Sequence, residues 1–90
     1  MSVARVVKIT NKRGLHARAS AKFVTLASAQ PVEVQVAKDG AGSVTGTSIM
    51  GLMMLGAAMG DQITISATGD GADAAVATLC DLVEAKFGED

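Results

Sequence analysis

The 90-residue chain reads as a single α+β domain (residues 1–90): a four-stranded antiparallel sheet covered on one face by three helices. Three observations predict it. Apolar and polar residues alternate with period two in three short segments. Apolar residues recur at helical spacing in two longer ones. Turn-forming residues separate these segments in the order βαββαβα, and a βαββαβ core favours a sheet with its helices on one side.

The elements follow in turn. Val3 to Thr10 alternates as a strand, with Val7 and Ile9 on one face, Arg5 near the edge and Lys8 pointing away. Asn11-Lys12-Arg13-Gly14 has turn chemistry. From Ala17 the period becomes helical: Ala19, Phe23 and Leu26 form a stripe that Val24 and Ala27 widen, and Pro31 ends it. Val32 to Val36 alternates strictly, with its valines inward. Lys38-Asp39-Gly40 signals a hairpin returning through Ser43 to Gly46. Ser48 is placed to cap a short helix over Ile49 to Leu55, in which Leu52, Met54 and Leu55 are core candidates. Ile63, Ile65 and Ala67 mark the fourth strand, and Gly69-Asp70-Gly71 a turn. Ala72, Ala75, Val76, Leu79, Val83 and Phe87 share one face of the last helix, with Asp70 or Asp73 near its positive end. Gly88-Glu89-Asp90 is expected to fray.

Composition removes several classes of function. Eight Lys and Arg against nine Asp and Glu leave a net charge of -1, with no basic stripe for nucleic acid. There is no Trp or Tyr and only two Phe, so no aromatic platform for bases exists. The Ile49 to Met59 run is the most apolar, but it falls short of the roughly 20 residues needed to span a bilayer. The N-terminus lacks a signal-peptide layout, and a cytoplasmic protein is expected. One cysteine, Cys80, permits no internal disulfide and suits a buried thiol in a reducing compartment. With one histidine and one thiol, no metal site and no cofactor are expected. Nucleotide loops and paired carboxylates are missing too, so the chain does not read as a stand-alone enzyme.

His16, the only histidine, stands where the first loop becomes a helix. A helix start offers unpaired N–H groups and a positive dipole end, both of which favour a bound phosphate. Arg18 adds a permanent cation with forked donors, and Gly14 permits a turn costly to other residues. A neutral ring nitrogen there is a nucleophile toward phosphorus, and positive surroundings stabilise the transferring oxygens. A lone histidine at such a position also serves as a simple helix cap or a solvated surface residue.

Gly14-Leu15-His16-Ala17-Arg18-Ala19-Ser20 closely resembles the phosphorylation-site motif of the HPr family, histidine-containing phosphocarriers of the bacterial phosphoenolpyruvate-dependent phosphotransferase system. Gly46 to Leu55 resembles that family's regulatory serine segment, at the family's usual separation. The resemblance spans nearly the whole chain and implies an open-faced β-sandwich. It implies that His16 accepts phosphate from phosphorylated enzyme I, on Nδ1, and passes it to an enzyme IIA-type domain. Arg18 would assist transfer, with Gly14, Ala17 and Ala19 supporting the phosphate. Ser48 would correspond to the serine modified by HPr kinase/phosphorylase. The similarity looks closest to HPr proteins of alphaproteobacterial type, whose phosphotransferase branch is often nitrogen-related and regulatory. One position departs from the motif: the family usually has proline where this chain has Ala19. Alanine keeps the helix, loses about 0.4–1 kcal/mol of preorganisation and adds a backbone donor.

The same resemblance places Ile49, Met50 and Met53 on a partner-docking face beside the site, where flexible methionines suit several partners. Lys12, Arg13, Arg18 and Lys22 are expected to ring that apolar patch and steer partners by charge. Exchange between partners calls for moderate affinity, and nothing in the sequence asks for a stable oligomer. The alternative reading is a small non-catalytic regulatory binding module of the same α+β class, in which His16 is incidental.

Overall fold

The computed structural model describes residues 2–89. The elements are β1 (Ser2–Lys8), α1 (Ala17–Ser28), β2 (Val34–Lys38), β3 (Gly42–Thr45), α2 (Ile49–Met54), β4 (Gln62–Thr68) and α3 (Ala72–Glu84), followed by a 3-10 turn at Lys86–Gly88. The strands form one sheet in the order β1-β4-β2-β3, with every neighbouring pair antiparallel. The expected order and the antiparallel sheet are both present.

Register explains why one face is covered. Val7 pairs with Ile63, Val36 with Ile65 and Val34 with Ala67, so the apolar members of each alternation share a side. Those six residues are buried. The helices lie over them: α3 packs on β1 and β4, while α1 packs on α2 and α3. Phe23, Leu52, Leu79, Val83 and Phe87 fill the space between. The opposite face carries Ala4, Gln35, Thr64 and Ser66, and Val6 stands exposed there. Among the described residues no helix is long and apolar enough to cross a membrane.

Several boundaries differ from the sequence reading, each for a local reason. β1 stops at Lys8, although Ile9 remains fully buried and bonds to the segment before β4 through Asp61 O at 2.8 Å. β2 begins at Val34 rather than Val32 and runs on to Lys38, so the hairpin turn is Asp39-Gly40-Ala41, closed by Ala41 N–H to Lys38 O at 3.0 Å. In α1 the buried stripe is Ala19, Ser20, Phe23 and Ala27, with Val24 and Leu26 only partly covered. Ser20 can turn inward because its hydroxyl donates to Leu15 O at 3.2 Å.

The C-terminal end departs most. α3 ends at Glu84, and Phe87 is not on it. Lys86 and Phe87 take left-handed φ values of 58° and 56°. That conformation costs roughly 1–2 kcal/mol per residue, comparable with the ~1.5–3 kcal/mol from burying a phenylalanine ring. The turn returns Phe87 to the core, and Lys22 Nζ donates to Phe87 O at 2.7 Å. The expected fraying is therefore corrected for Gly88 and Glu89, whose amides bond to Ala85 O and Lys86 O at 3.0 and 2.8 Å. Asp90 lies outside the described residues.

Candidate phosphoryl-transfer site

The loop before α1 is anchored first. Gly14 has φ +64°, and a Cβ there would lie 2.4 Å from Ala57 O, so only glycine fits. Leu15 is buried and its N–H donates to Ala57 O at 2.9 Å. These contacts tie the loop leaving α2 to the residues that precede His16.

His16 is the N-cap of α1, with extended backbone at φ -76° and ψ -178°. Its Nδ1 accepts from Arg18 N–H at 3.2 Å. The first bond of the helix ladder runs from Ser20 N–H to His16 O at 2.9 Å. The amides of Ala17, Arg18 and Ala19 therefore lie outside that ladder, where an anion finds them. A proline at position 19 would remove one of these three donors. Ala19 itself is fully buried, so its contribution there is its backbone.

The ring is held from its other side. His16 Nε2 lies 2.7 Å from Glu89 Oε2. Glu89 Oε1 accepts from Asn11 Nδ2 at 3.0 Å, and the same amide donates to Gly14 O at 2.9 Å. Asn11 is fully buried, and its Oδ1 has no partner among the described residues. Burial pushes the Glu89 carboxyl up, but hydrogen bonds from Asn11 and His16, with the nearby Lys22 charge, outweigh it and hold the group below its ordinary value.

Lys12, Arg13, Arg18 and Lys22, with Gly88 and Glu89, line one cleft of about 390 Å³. The four cations thus gather beside Gly88 and Glu89, and Lys22 belongs to this cleft through its bond to Phe87 O. Such a cleft attracts a dianionic group while the helix amides orient it.

Ser48 caps α2, its Oγ accepting from Gly51 N–H at 2.9 Å. Ile49, Met50, Met53, Met54 and Met59 are exposed around this short helix. Met54, expected as core, is 78% exposed, whereas Leu52 and Leu55 are buried as anticipated. Six residues make fewer than two turns, so the inward side holds Leu52 while its neighbours face out.

Sequence reasoning missed Asn11 and Glu89. Asn11 carried a weak signal, a polar residue directly after an apolar alternation, and was read as turn chemistry. Glu89 carried none, because its reach depends on the left-handed turn at Lys86 and Phe87.

Fold and site together define a small α+β protein that presents one histidine at a helix start beside a cation-lined cleft. Comparison with known proteins makes the class specific. Residues 3–85 match the family profile described as "PTS HPr component phosphorylation site". The phosphocarrier protein HPr of Neisseria meningitidis is 52% identical over 85 residues, covering 92% of each chain. The phosphocarrier protein NPr of Shewanella violacea is 45% identical over 85 residues, covering 94% of this chain and 92% of that protein. The crystal structure of HPr-C-His from Thermoanaerobacter tengcongensis superimposes with a TM-score of 0.91 at 43% identity, covering 98% of each chain. The chain belongs to the HPr family, and its role is that of a phosphocarrier in the phosphotransferase system.

Proposed function

We propose that His16 Nδ1 is the phosphoryl acceptor, charged by phosphorylated enzyme I and discharged to an enzyme IIA-type domain. The observation that carries this reading is the position of Nδ1. It accepts an N–H of the first helical turn at 3.2 Å, so it holds a lone pair, and a cation-lined cleft lies alongside. In the acceptance step the Nδ1 pair forms the N–P bond, and the bond from phosphorus to the donor breaks with its pair leaving on the donor. The phosphoryl oxygens replace the ring nitrogen as acceptor at Arg18 N–H and draw on the amides of Ala17 and Ala19. The Arg18 guanidinium and the lysines of the cleft balance the charge. Transfer onward reverses these events.

Partners dock on the exposed apolar face at Ile49, Met50 and Met53, beside the loop tied to Leu15. The cleft cations, Lys22 among them, steer them. Ser48 is a regulatory site: a phosphate there adds negative charge next to the docking face and repels acidic partners. HPr kinase/phosphorylase is the class of enzyme that would install it. The carrier works as a monomer in the cytoplasm, and its relatives carry both names, HPr and NPr.

The test is direct. Incubation with labelled phosphoenolpyruvate and enzyme I should yield an acid-labile, base-stable phosphoprotein, and His16→Ala should take no label. Absence of label on the wild type, or normal labelling of the variant, defeats the reading. Sugar-type and nitrogen-type enzyme I in parallel assign the branch.

A further inference from the structure

Glu89 lies beyond the residues that match the family profile, which end at position 85. Yet both of its carboxylate oxygens are engaged at the site, one by Asn11 and one by His16. Its side chain is 17% exposed. An ionised carboxylate only accepts hydrogen bonds, so the 2.7 Å contact requires Nε2 to carry the proton. The longer Arg18 N–H contact to Nδ1, at 3.2 Å, favours the same arrangement but holds it less firmly. Two unrelated contacts therefore select one tautomer. The Asn11 amide orientation is equally determined, since its Nδ2 faces two acceptors, Gly14 O and Glu89 Oε1. The chain reaches this arrangement through two consecutive left-handed residues, a conformation that persists only where its surroundings hold it.

We propose that Glu89 is a positioning residue for phosphoryl transfer: oriented by Asn11, it holds His16 as the Nε2–H tautomer with Nδ1 free, and it balances the positive charge the ring gains on phosphorylation. This rests on His16 being the acceptor. The form of the ring that reacts is the neutral one, with Nδ1 bare and Nε2 protonated. When its Nδ1 pair forms the N–P bond, the ring becomes cationic, because Nε2 keeps its proton throughout. The adjacent carboxylate offsets that charge in a half-buried setting. When the N–P bond breaks onto the next acceptor, its pair returns to Nδ1 and the ring leaves as neutral imidazole. A ring that had lost its Nε2 proton would have to leave as imidazolate, a far poorer leaving group. Glu89 thus serves both directions of the relay without touching phosphorus.

The experiment uses the full chain with Glu89→Ala and Glu89→Gln, amide spectra first confirming that both fold. Ring 15N shifts report the His16 tautomer, and single-turnover labelling from phosphorylated enzyme I reports acceptance. The wild type should show the Nε2–H form alone. Glu89→Ala should populate both tautomers and accept phosphate on the order of tenfold more slowly, the scale on which groups that orient a histidine act. Glu89→Gln keeps an acceptor for Nε2–H but no charge, so it should retain the tautomer and still accept more slowly than wild type. An unchanged tautomer ratio or an unchanged rate in Glu89→Ala overturns the proposal, and wild-type acceptance by Glu89→Gln overturns the charge-balancing part. If the wild type itself takes no phosphate, the phosphocarrier reading fails instead, and the tautomer comparison alone then decides whether Glu89 sets the ring.

Discussion

The starts of α1 and α2 use the same local device for different ends. In each, an extended residue turns its side chain back to accept a first-turn N–H: His16 Nδ1 from Arg18 at 3.2 Å, and Ser48 Oγ from Gly51 at 2.9 Å. The surroundings then diverge. His16 is gripped from behind by Glu89 and flanked by a cleft lined with four cations. Ser48 has exposed Ile49 and Met50 directly after it. A serine cap is worth about 1 kcal/mol in stability and carries no chemistry of its own. What suits one cap to the proposed role of nucleophile and the other to the proposed modification is the charge and apolar surface brought near by the rest of the fold. α3 makes the contrast complete: its N-cap is Gly71, with no side-chain bond at all.

The comparison can be broken most severely at the supports beneath each cap. Gly14→Ala places a Cβ against Ala57 O in a left-handed conformation. Adding a left-handed penalty of about 1–2 kcal/mol to overpacking of about 1–3 kcal/mol predicts a loss of roughly 2–5 kcal/mol in urea unfolding, with phosphate acceptance impaired as the site loop shifts. Gly51→Ala under the second cap should cost less, because its Cβ would meet Ser48 Oγ and the Val44 side chain at 3.0 Å with ordinary helical backbone. Equal losses for the two variants would show that the loop anchoring at Gly14 is not special.

Removing the caps themselves sharpens the contrast. Ser48→Ala should lower stability by about 1 kcal/mol and leave acceptance from enzyme I intact. His16→Ala should cost a similar amount and abolish acceptance. Ser48→Asp keeps a capping oxygen but adds charge, so its acceptance rate should fall while its unfolding midpoint stays near wild type. An unchanged rate removes the regulatory reading of that position.

A smaller effect separates the two ends by pH. The Glu89 carboxyl sits below its ordinary 4.5 in the folded protein, so its contribution is complete above 4.5 and disappears as pH falls through the lower folded value. Side-chain carboxyl and ring shifts followed from pH 6 downward should show the His16 contact loosening in that window, with no matching change at the Ser48 cap. The smallest expectation concerns Cys80. Burial pushes its thiol above the ordinary 9.0, outweighing nearby Arg5, so thiol reagents at pH 8 should modify it only after denaturation.

Legibility in the sequence followed the range of the interaction. Alternation at Val34 and Val36, the helical stripe through Phe23, and the Gly14-to-Ser20 motif are short-range patterns, and each survives in the structure with shifts of one or two residues. Met54 was misplaced because periodicity identifies a face and not how much of it a six-residue helix can cover.

By itself, the sequence determined the order of elements, the antiparallel sheet with one covered face, the capping positions of His16 and Ser48 and the cations available near the first loop. These depend on periodicity, turn residues and side-chain chemistry that neighbours in the chain already express. Only the tertiary structure decided which cations meet, which methionines stay outside and that Glu89 closes on a histidine 73 residues away. That last contact needs a buried Phe87, two left-handed residues and Asn11 held under the loop. Each is a packing outcome between distant segments, with no counterpart in any local run of residues.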